Sequence, residues 1–459
     1  MTKETIDDYA VATAGGLAKA LADRRIGAVE LFDTAVAAIE AKDGPINAVV
    51  VRDFDRARDA AKAADAALSR GERRPLLGVP LTVKDSHHVA GLPTTWGLEP
   101  FRGWTPTWDS TGVARLKAAG AVILGKTNIP PSLGDWQSAN PIYGRTSNPL
   151  DLTRTPGGSS GGGAAALAAG MVALEFGSDI GGSIRVPAHF CGVYGHKPSF
   201  DLIPQTGHAP PGFAEPSAGV ELGVVGPLAR SASDLELALN VLAGPDGEMA
   251  KGYRLALPAP RAQQLSELRV MVIDHHPAVG ADADVLSTLH RLVDAMAREG
   301  TKVASVASIT GLPDFAGAHT IYTGILGAII SRMQPGFAEP ITAGALMDLL
   351  SAQDAVRRRW ATVFEQVDVV LAPPFGTAAF PHIDEPDWDK RSLVIDGNPA
   401  PYGAQLAWSG MASLANLPAT CVPVGKTAGD LPIGVQIIGP FLEDRTTIAV
   451  ADMVGGLLR

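Results

Sequence analysis

Apolar residues recur along the chain in helical and strand periods, which predicts alternating helices and strands. Between residues 14 and 42 the apolar positions have helical spacing, and Gly27 interrupts them, which indicates two helices. Residues 54–69 form an alanine-rich helical pattern with Arg and Lys on one side. A short apolar run at 47–51 predicts a strand, and another at 76–83 ends at Lys84.

A helical pattern followed by a strand pattern recurs three more times. The predicted pairs are 110–119 with 121–124, 284–299 with 303–306, and 354–366 with 369–371. This alternation favours an α/β architecture with a largely buried sheet. Residues 142–163 and 176–227 have little periodicity and many Gly, Pro, Ser and Thr residues, so we predict long loops there. Loops of that length inside a domain are usually functional.

Composition and charge narrow the function classes. The chain has 459 residues, 46% hydrophobic and 19% charged, which is enough for a sizeable core. A net charge of −10 without a basic block argues against a nucleic acid or an anionic membrane as partner. Two cysteines exclude a disulfide scaffold and a thiolate-rich zinc site. The N-terminus has no secretory signal pattern and no apolar stretch is long enough to span a bilayer, so we expect a cytoplasmic protein.

Residues 120–127 match the phosphate-loop pattern of Gly, four residues and Gly-Lys-Thr. A phosphate loop needs a strand before the first Gly and a helix after the Thr. Here a predicted helix precedes the motif, a strand occupies its four variable positions, and Pro130 and Pro131 follow it. We therefore interpret the segment as a helix–turn–strand unit.

The run Gly157-Gly158-Ser159-Ser160-Gly161 matches Gly-x-Ser-x-Gly, the strand–turn–helix elbow that presents a nucleophile in α/β-hydrolases. A helical pattern follows it, but Pro156 makes the preceding segment a poor central strand. Later histidines are present, and none lies in a segment that singles it out. An elbow nucleophile at Ser159 and a structural glycine turn both stay open from this motif alone.

Two further features suit amide or ester chemistry. Gly181-Gly182-Ser183 exposes backbone amides before a serine, as an oxyanion hole requires. Lys84 ends an apolar Gly-Val-Pro strand. Its ammonium group either extends to water or is desolvated, and in the second case its pKa falls and it can act as a base.

These motifs together resemble the amidase signature family. Lys84 follows Gly78-Val79-Pro80, and Ser183 lies 24 positions after Ser159. The resemblance continues at Gly91–Thr95, Gly120–Asn128, Gly195–Pro198, Asn416–Ala419 and Leu431–Gln436. It implies an α/β fold with a large twisted mixed central sheet covered by helices on both faces. It also implies one domain over 1–459, with a signature core at about 76–200 and lid or pocket helices at about 310–350.

The resemblance also implies a Ser–cis-Ser–Lys triad. By motif position Ser183 is the nucleophile, Ser159 the bridging serine and Lys84 the base, and we expect a cis peptide at Gly158–Ser159. No metal and no organic cofactor is implied. Ser178, five residues before the nucleophile, is expected to support Lys84. Asp179 and Arg185 are expected to be structural partners, and His87 and His88 to have surface or channel roles.

The resemblance places the oxyanion hole at the amides of Ile180, Gly181, Gly182 and Ser183. Candidate substrate-binding residues lie in other segments, and ordinary packing is the alternative for each: Trp136, Gln137, Tyr322, Ile325, Phe101, Trp104 and Trp108. Their apolar character favours an apolar or aryl amide, or a carbamate.

Three functions stay open from the sequence. The first is a stand-alone hydrolase of amides, and also of esters or carbamates, similar to aryl acylamidases and urethanases. The second is the amidase subunit of a multi-protein amidotransferase. Pro130-Pro131-Ser132 argues against it, because amidotransferase subunits tend to have acidic residues there. The third is a non-catalytic binding relative, which the intact Lys84 and serines disfavour. A homodimer is the family-level alternative to a monomer.

Overall fold

The computed structural model describes residues 9–212, 219–333 and 339–458. The helices within them are α1 (Ala14–Ala22), α2 (Ala28–Ile46), α3 (Phe54–Ser69), α4 (Thr111–Ala118), α5 (Gly161–Ala168), α6 (Arg185–Cys191), α7 (Ala232–Leu242), α8 (Met249–Gly252), α9 (Ala283–Arg298), α10 (Phe315–Met333), α11 (Ala343–Gln366), α12 (Leu406–Leu414) and α13 (Asp444–Val454). In this part of the chain, no helix combines the length and the apolar character needed to cross a bilayer.

The strands are β1 (Val49–Arg52), β2 (Pro80–Lys84), β3 (Val122–Thr127), β4 (Ala139–Asn140), β5 (Gly144–Arg145), β6 (Leu174–Asp179), β7 (Tyr194–Lys197), β8 (Val224–Ala229), β9 (Arg269–Val272), β10 (Lys302–Ala304), β11 (Val369–Ala372), β12 (Ser392–Ile395), β13 (Asn398–Pro401), β14 (Ala419–Lys426) and β15 (Pro432–Ile438). Eleven of these strands form one mixed sheet in the order β1-β3-β2-β6-β8-β7-β14-β15-β11-β9-β10. The pairs β3–β2, β2–β6, β11–β9 and β9–β10 are parallel, and the other pairs are antiparallel.

Four adjacent strands of the sheet are buried along their whole length. Every residue of β2, β3, β6 and β8 is buried, as expected of strands covered on both faces. Because β2 and β6 are parallel neighbours, their carboxyl ends meet at one edge of the sheet. Lys84 ends β2 and Asp179 ends β6, so the topology places both residues at that edge.

The structure confirms the predicted α/β architecture and most of the predicted elements. Gly27 separates α1 from α2, and α3 has the predicted bounds. The phosphate-loop match is the expected helix–turn–strand unit, formed by α4 and β3. Its Lys126 is fully buried and forms an ion pair with Asp85 at 2.9 Å.

The prediction of a long loop over 176–227 is wrong. The end of β6, all of α6 and β7 and the start of β8 lie there. Glycines within the strands and the small size of α6, which has seven residues, hide the periodicity of these elements. Residues 142–163 are closer to the prediction, with β5 and the first turn of α5 as their regular structure.

Candidate active site

The Lys84 ammonium group is buried at the edge where β2 and β6 end. Its Nζ lies 2.7 Å from Ser159 Oγ, 2.9 Å from Ser160 Oγ and 2.9 Å from Ser178 Oγ. Burial lowers the pKa of Lys84 to about 7, although the carboxylates of Asp179 and Glu175 act in the opposite direction. A neutral amine is therefore present near neutral pH, and its nitrogen lies within hydrogen-bond distance of three serine hydroxyls.

Ser159 contacts Lys84 from a loop whose conformation requires glycine at position 158. The peptide between Gly158 and Ser159 is cis, as the family resemblance implies. A Cβ at Gly158 would lie 2.4 Å from the carbonyl oxygen of Asp135, so a larger residue cannot occupy this position without moving the backbone. Directly after this loop α5 begins, and its Gly162 packs against the backbone of Asn128.

Ser183 faces a cavity of about 390 Å³ whose lining also includes Ser159 and Ser178. The Ser183 carbonyl accepts a hydrogen bond from the Ser160 amide at 3.1 Å, which ties the two serine loops together. Within the described residues, no hydrogen bond joins the Ser183 hydroxyl to Ser159. The three residues of the predicted triad thus lie around one site, with the Lys84–Ser159 contact formed directly.

The turn before Ser183 is held by a buried ion pair. Asp179 accepts hydrogen bonds from the amides of Gly182 at 2.9 Å and Ile184 at 3.0 Å, and it pairs with Arg185 at 2.9 Å. Burial opposes ionisation of Asp179, but the Arg185 guanidinium, together with the charge of Lys197 and the hydrogen bond from the Ile184 amide, lowers the pKa of Asp179 to about 2. Gly182 has a φ of +95°, and a Cβ there would lie 2.4 Å from Ser409 Oγ.

Two aromatic side chains donate to consecutive carbonyls of the same turn. Trp136 Nε1 donates to the Gly181 carbonyl at 2.9 Å, and the Tyr322 hydroxyl donates to the Ile180 carbonyl at 2.9 Å. Trp136 also lines the cavity, as a substrate-binding residue would. Tyr322 is fully buried behind the turn and is not part of the cavity lining.

Gln137 contacts backbone instead of the cavity. Its amide group donates to the Ile383 carbonyl at 3.0 Å and accepts from the Ile383 amide at 2.9 Å. The neighbouring Asp135 does line the cavity, where it pairs with Arg391 at 2.6 Å and accepts from the Tyr402 hydroxyl at 2.7 Å. The Asp135–Arg391 pair was absent from the sequence prediction because its members are 256 positions apart.

Of the surface or channel role expected for His87 and His88, the surface alternative is wrong, since both side chains are buried. The His87 ring stacks on Phe176 at 4.1 Å, and its Nε2 lies 3.2 Å from the Gly177 carbonyl. His208 lies 4.8 Å from the His87 ring and lines the cavity. Burial lowers the pKa of His208 to about 3, so this ring is uncharged at neutral pH.

Sequence reasoning missed Ser160 as a contact of Lys84. Its hydroxyl donates to the Ser178 carbonyl at 3.2 Å and lies 2.9 Å from Lys84 Nζ. Its position directly after Ser159 was the available signal. Among residues 9–212, 219–333 and 339–458, no group of three His, Cys, Asp or Glu side chains is arranged to hold a metal ion.

Comparison with known proteins places this chain in a family. The family model described as Amidase matches residues 30–331 and 321–448. A glutamyl-tRNA(Gln) amidotransferase subunit of Roseiflexus sp. (strain RS-1) is 32% identical, covering 95% of this chain and 94% of that protein. A solved amidase has 26% identity and a TM-score of 0.80, covering 96% of this chain and 99% of its own. The structure of 6-aminohexanoate cyclic dimer hydrolase with substrate has 25% identity and a TM-score of 0.80, covering 98% and 97%.

Proposed function

This chain belongs to the amidase signature family and is an amidase, and on that premise we propose that it hydrolyses small uncharged amides through an acyl-enzyme on Ser183. One observation carries the mechanism. The buried Lys84 amine lies 2.7 Å from the Ser159 hydroxyl, and Ser159 and Ser183 both line the same cavity. Esters and carbamates present the same carbonyl to the nucleophile and are included in the proposal.

The proposed reaction begins with neutral Lys84. Lys84 takes the proton of Ser159, Ser159 takes the proton of Ser183, and the Ser183 oxygen attacks the substrate carbonyl carbon. The C–N bond breaks as the same two groups return the proton to the leaving amine. Water then attacks the acyl ester by the same relay, and the carboxylic acid leaves. Ser160 and Ser178 hold the Lys84 amine in place throughout.

The cavity supports an uncharged substrate. Its described lining contains three charged side chains, and each has a partner of opposite charge. Asp135 pairs with Arg391 at 2.6 Å, and Asp179 pairs with Arg185 at 2.9 Å. The other walls are largely apolar and include, from α10, Leu326, Ile329 and Ile330. A substrate carboxylate would lose hydration here without gaining an unpaired cation.

A second candidate is the amidase subunit of a multi-protein amidotransferase. It is favoured by the similarity to the Roseiflexus amidotransferase protein. The paired charges of the cavity favour the stand-alone amidase instead, because glutamine carries both a carboxylate and an ammonium group. Hydrolysis of a simple anilide by the isolated chain, without any partner protein, would support the stand-alone amidase over the amidotransferase subunit.

We expect a fluorophosphonate probe to label Ser183 in the isolated chain. Mass mapping of the digested protein should place the adduct on the peptide that contains Ser183, and the Ser183→Ala variant should lose the label. Ser159→Ala should retain some labelling at a lower rate, because the nucleophile remains and its proton relay is lost. An adduct on Ser159 in the wild-type chain would refute the proposed roles and support the elbow interpretation.

The uncharged-substrate proposal predicts discrimination between two anilides of similar size. We expect kcat/KM for succinanilate, which carries a carboxylate, to be about 100-fold or more below that for butyranilide, because desolvating an ion costs several kcal/mol. The Asp135→Asn variant frees Arg391 and should narrow this ratio. Equal rates on the two anilides in the wild-type enzyme would contradict the proposal.

A further inference from the structure

Tyr322 lies behind the turn that precedes Ser183, and nothing in the proposed reaction uses it yet. Its side chain is fully buried, and its hydroxyl donates to the Ile180 carbonyl at 2.9 Å. We propose that Tyr322 is a positioning residue that sets the direction of the Gly181 amide toward the reacting carbonyl. The proposal rests on the proposed function, since it concerns the oxyanion site of that reaction.

The position of the Tyr322 ring is fixed by packing. A Cβ at Gly410 on α12 would lie 2.8 Å from the Tyr322 ring, so the ring sits directly on the backbone of that helix. Burial raises the pKa of Tyr322 well above its usual value, which keeps the hydroxyl protonated and able to donate. The ring and the donor therefore present one fixed hydrogen bond to the turn.

Because the peptide unit is planar, the hydrogen bond from Tyr322 to the Ile180 carbonyl also sets the direction of the Gly181 amide. In a planar trans peptide the C=O and the following N–H point in opposite directions. The hydrogen bond from Tyr322 draws the Ile180 carbonyl away from the cavity, so the Gly181 N–H of the same peptide unit turns the other way. Both Ile180 and Gly181 line the cavity. Gly181 thus becomes the donor available to an oxyanion.

In the next peptide unit, between Gly181 and Gly182, both the carbonyl and the amide already have hydrogen-bond partners in the protein. Trp136 binds the Gly181 carbonyl at 2.9 Å, and the Gly182 amide on the other side of that unit donates to Asp179 at 2.9 Å. The Gly182 amide is therefore occupied, although the sequence placed it in the oxyanion hole. The Gly181 amide, whose peptide unit is oriented by Tyr322, therefore contributes more to stabilising the oxyanion than the Gly182 amide does.

The hydroxyl of Tyr322 can be tested without disturbing the cavity. We expect Tyr322→Phe to lower kcat for butyranilide about 10-fold with KM within about twofold, because the Gly181 donor is tilted and not removed, and removing such a donor costs about 10² to 10³. The affinity for a trifluoromethyl ketone analogue, whose oxyanion fills the same site, should fall by the same factor. A donor that acts only in the transition state produces this pattern.

Tyr9→Phe is the matched control. Tyr9 is also buried, and its hydroxyl donates to the Met171 carbonyl at 3.0 Å, outside the cavity lining. It should show a comparable shift of the thermal midpoint with unchanged kcat and ketone affinity. Gly410→Ala is an independent variant, because its methyl group would displace the Tyr322 ring and should lower kcat in the same way.

Two results would overturn the inference. One is a Tyr322→Phe enzyme whose kcat and ketone affinity match those of Tyr9→Phe. The other is a Tyr322→Phe enzyme in which KM rises and kcat is unchanged, which would make Tyr322 a substrate-binding residue. Failure of the proposed function gives a different outcome, since the wild-type chain would then neither be labelled at Ser183 nor hydrolyse butyranilide.

Discussion

Replacing Lys84 with methionine should lower kcat/KM for butyranilide by about 10² to 10⁴, the range typical of a lost general base. Methionine keeps an unbranched apolar stem and removes the amine that contacts Ser159, Ser160 and Ser178. Folding should be preserved, because the variant removes a group whose burial already disfavours its charge. Steady-state kinetics and far-UV circular dichroism on the purified variant check both expectations.

The pH dependence of kcat/KM in the wild-type enzyme should also reveal the titration of Lys84. The pKa of Lys84 is lowered to about 7, and the proposed mechanism requires the neutral amine. The value of kcat/KM should therefore be constant above that pH and fall tenfold per pH unit below it. The step should be missing from the residual activity of Lys84→Met.

A second buried group titrates in the same range and needs its own control. Burial raises the pKa of Glu175 to about 7, and the carboxylate accepts hydrogen bonds from Thr82 and Thr127 at 2.5 Å and 2.7 Å. Glu175→Gln removes the titration and keeps the shape. If the pH step disappears in Glu175→Gln and persists in Lys84→Met, the assignment of the base to Lys84 is wrong.

The sequence indicates where the proposed chemistry lies because the relevant residues occur in contiguous motifs. Lys84 ends an apolar strand, and Ser159 and Ser183 lie in glycine-rich segments whose spacing resembles one family. The local sequence also indicates the backbone geometry near Ser159 and Ser183. There is no space for a Cβ at Gly158 or Gly182, so the backbone packing at these positions requires glycine. The cis peptide at Gly158–Ser159 was predicted on the resemblance and is present.

The parts that could not be predicted depend on contacts between distant segments. Tyr322 is 142 positions from the Ile180 carbonyl, and Asp135 is 256 positions from Arg391. The sequence identifies Tyr322 as a candidate substrate-binding residue but does not say which backbone group its hydroxyl meets. The hydrogen bond from the Gly182 amide to Asp179 could not be predicted either, since motif position does not show which acceptor an amide meets.

Breaking the ion pair behind Ser183 should have the largest effect on stability. Arg185 is fully buried, and its guanidinium binds Asp179 at 2.9 Å, Gln436 at 2.8 Å and Ser413 at 3.0 Å. Arg185→Met leaves the Asp179 carboxylate buried without its counter-ion, and we expect a loss of about 3–5 kcal/mol in the free energy of unfolding. Urea denaturation followed by tryptophan fluorescence measures it.

The loss in Arg185→Met has two causes: the hydrogen bonds of Arg185 are removed, and the Asp179 carboxylate stays buried without a counter-ion. A double variant separates them. Asp179→Asn combined with Arg185→Met removes both charges, so it should be more stable than the sum of the two single losses predicts. Lys390→Met, which breaks an exposed pair with Asp387 at 3.0 Å, should change stability by less than about 0.5 kcal/mol. Additive losses at Asp179 and Arg185 would mean that they do not act as a pair. The turn before Ser183 would then depend on the hydrogen bonds of Asp179 alone.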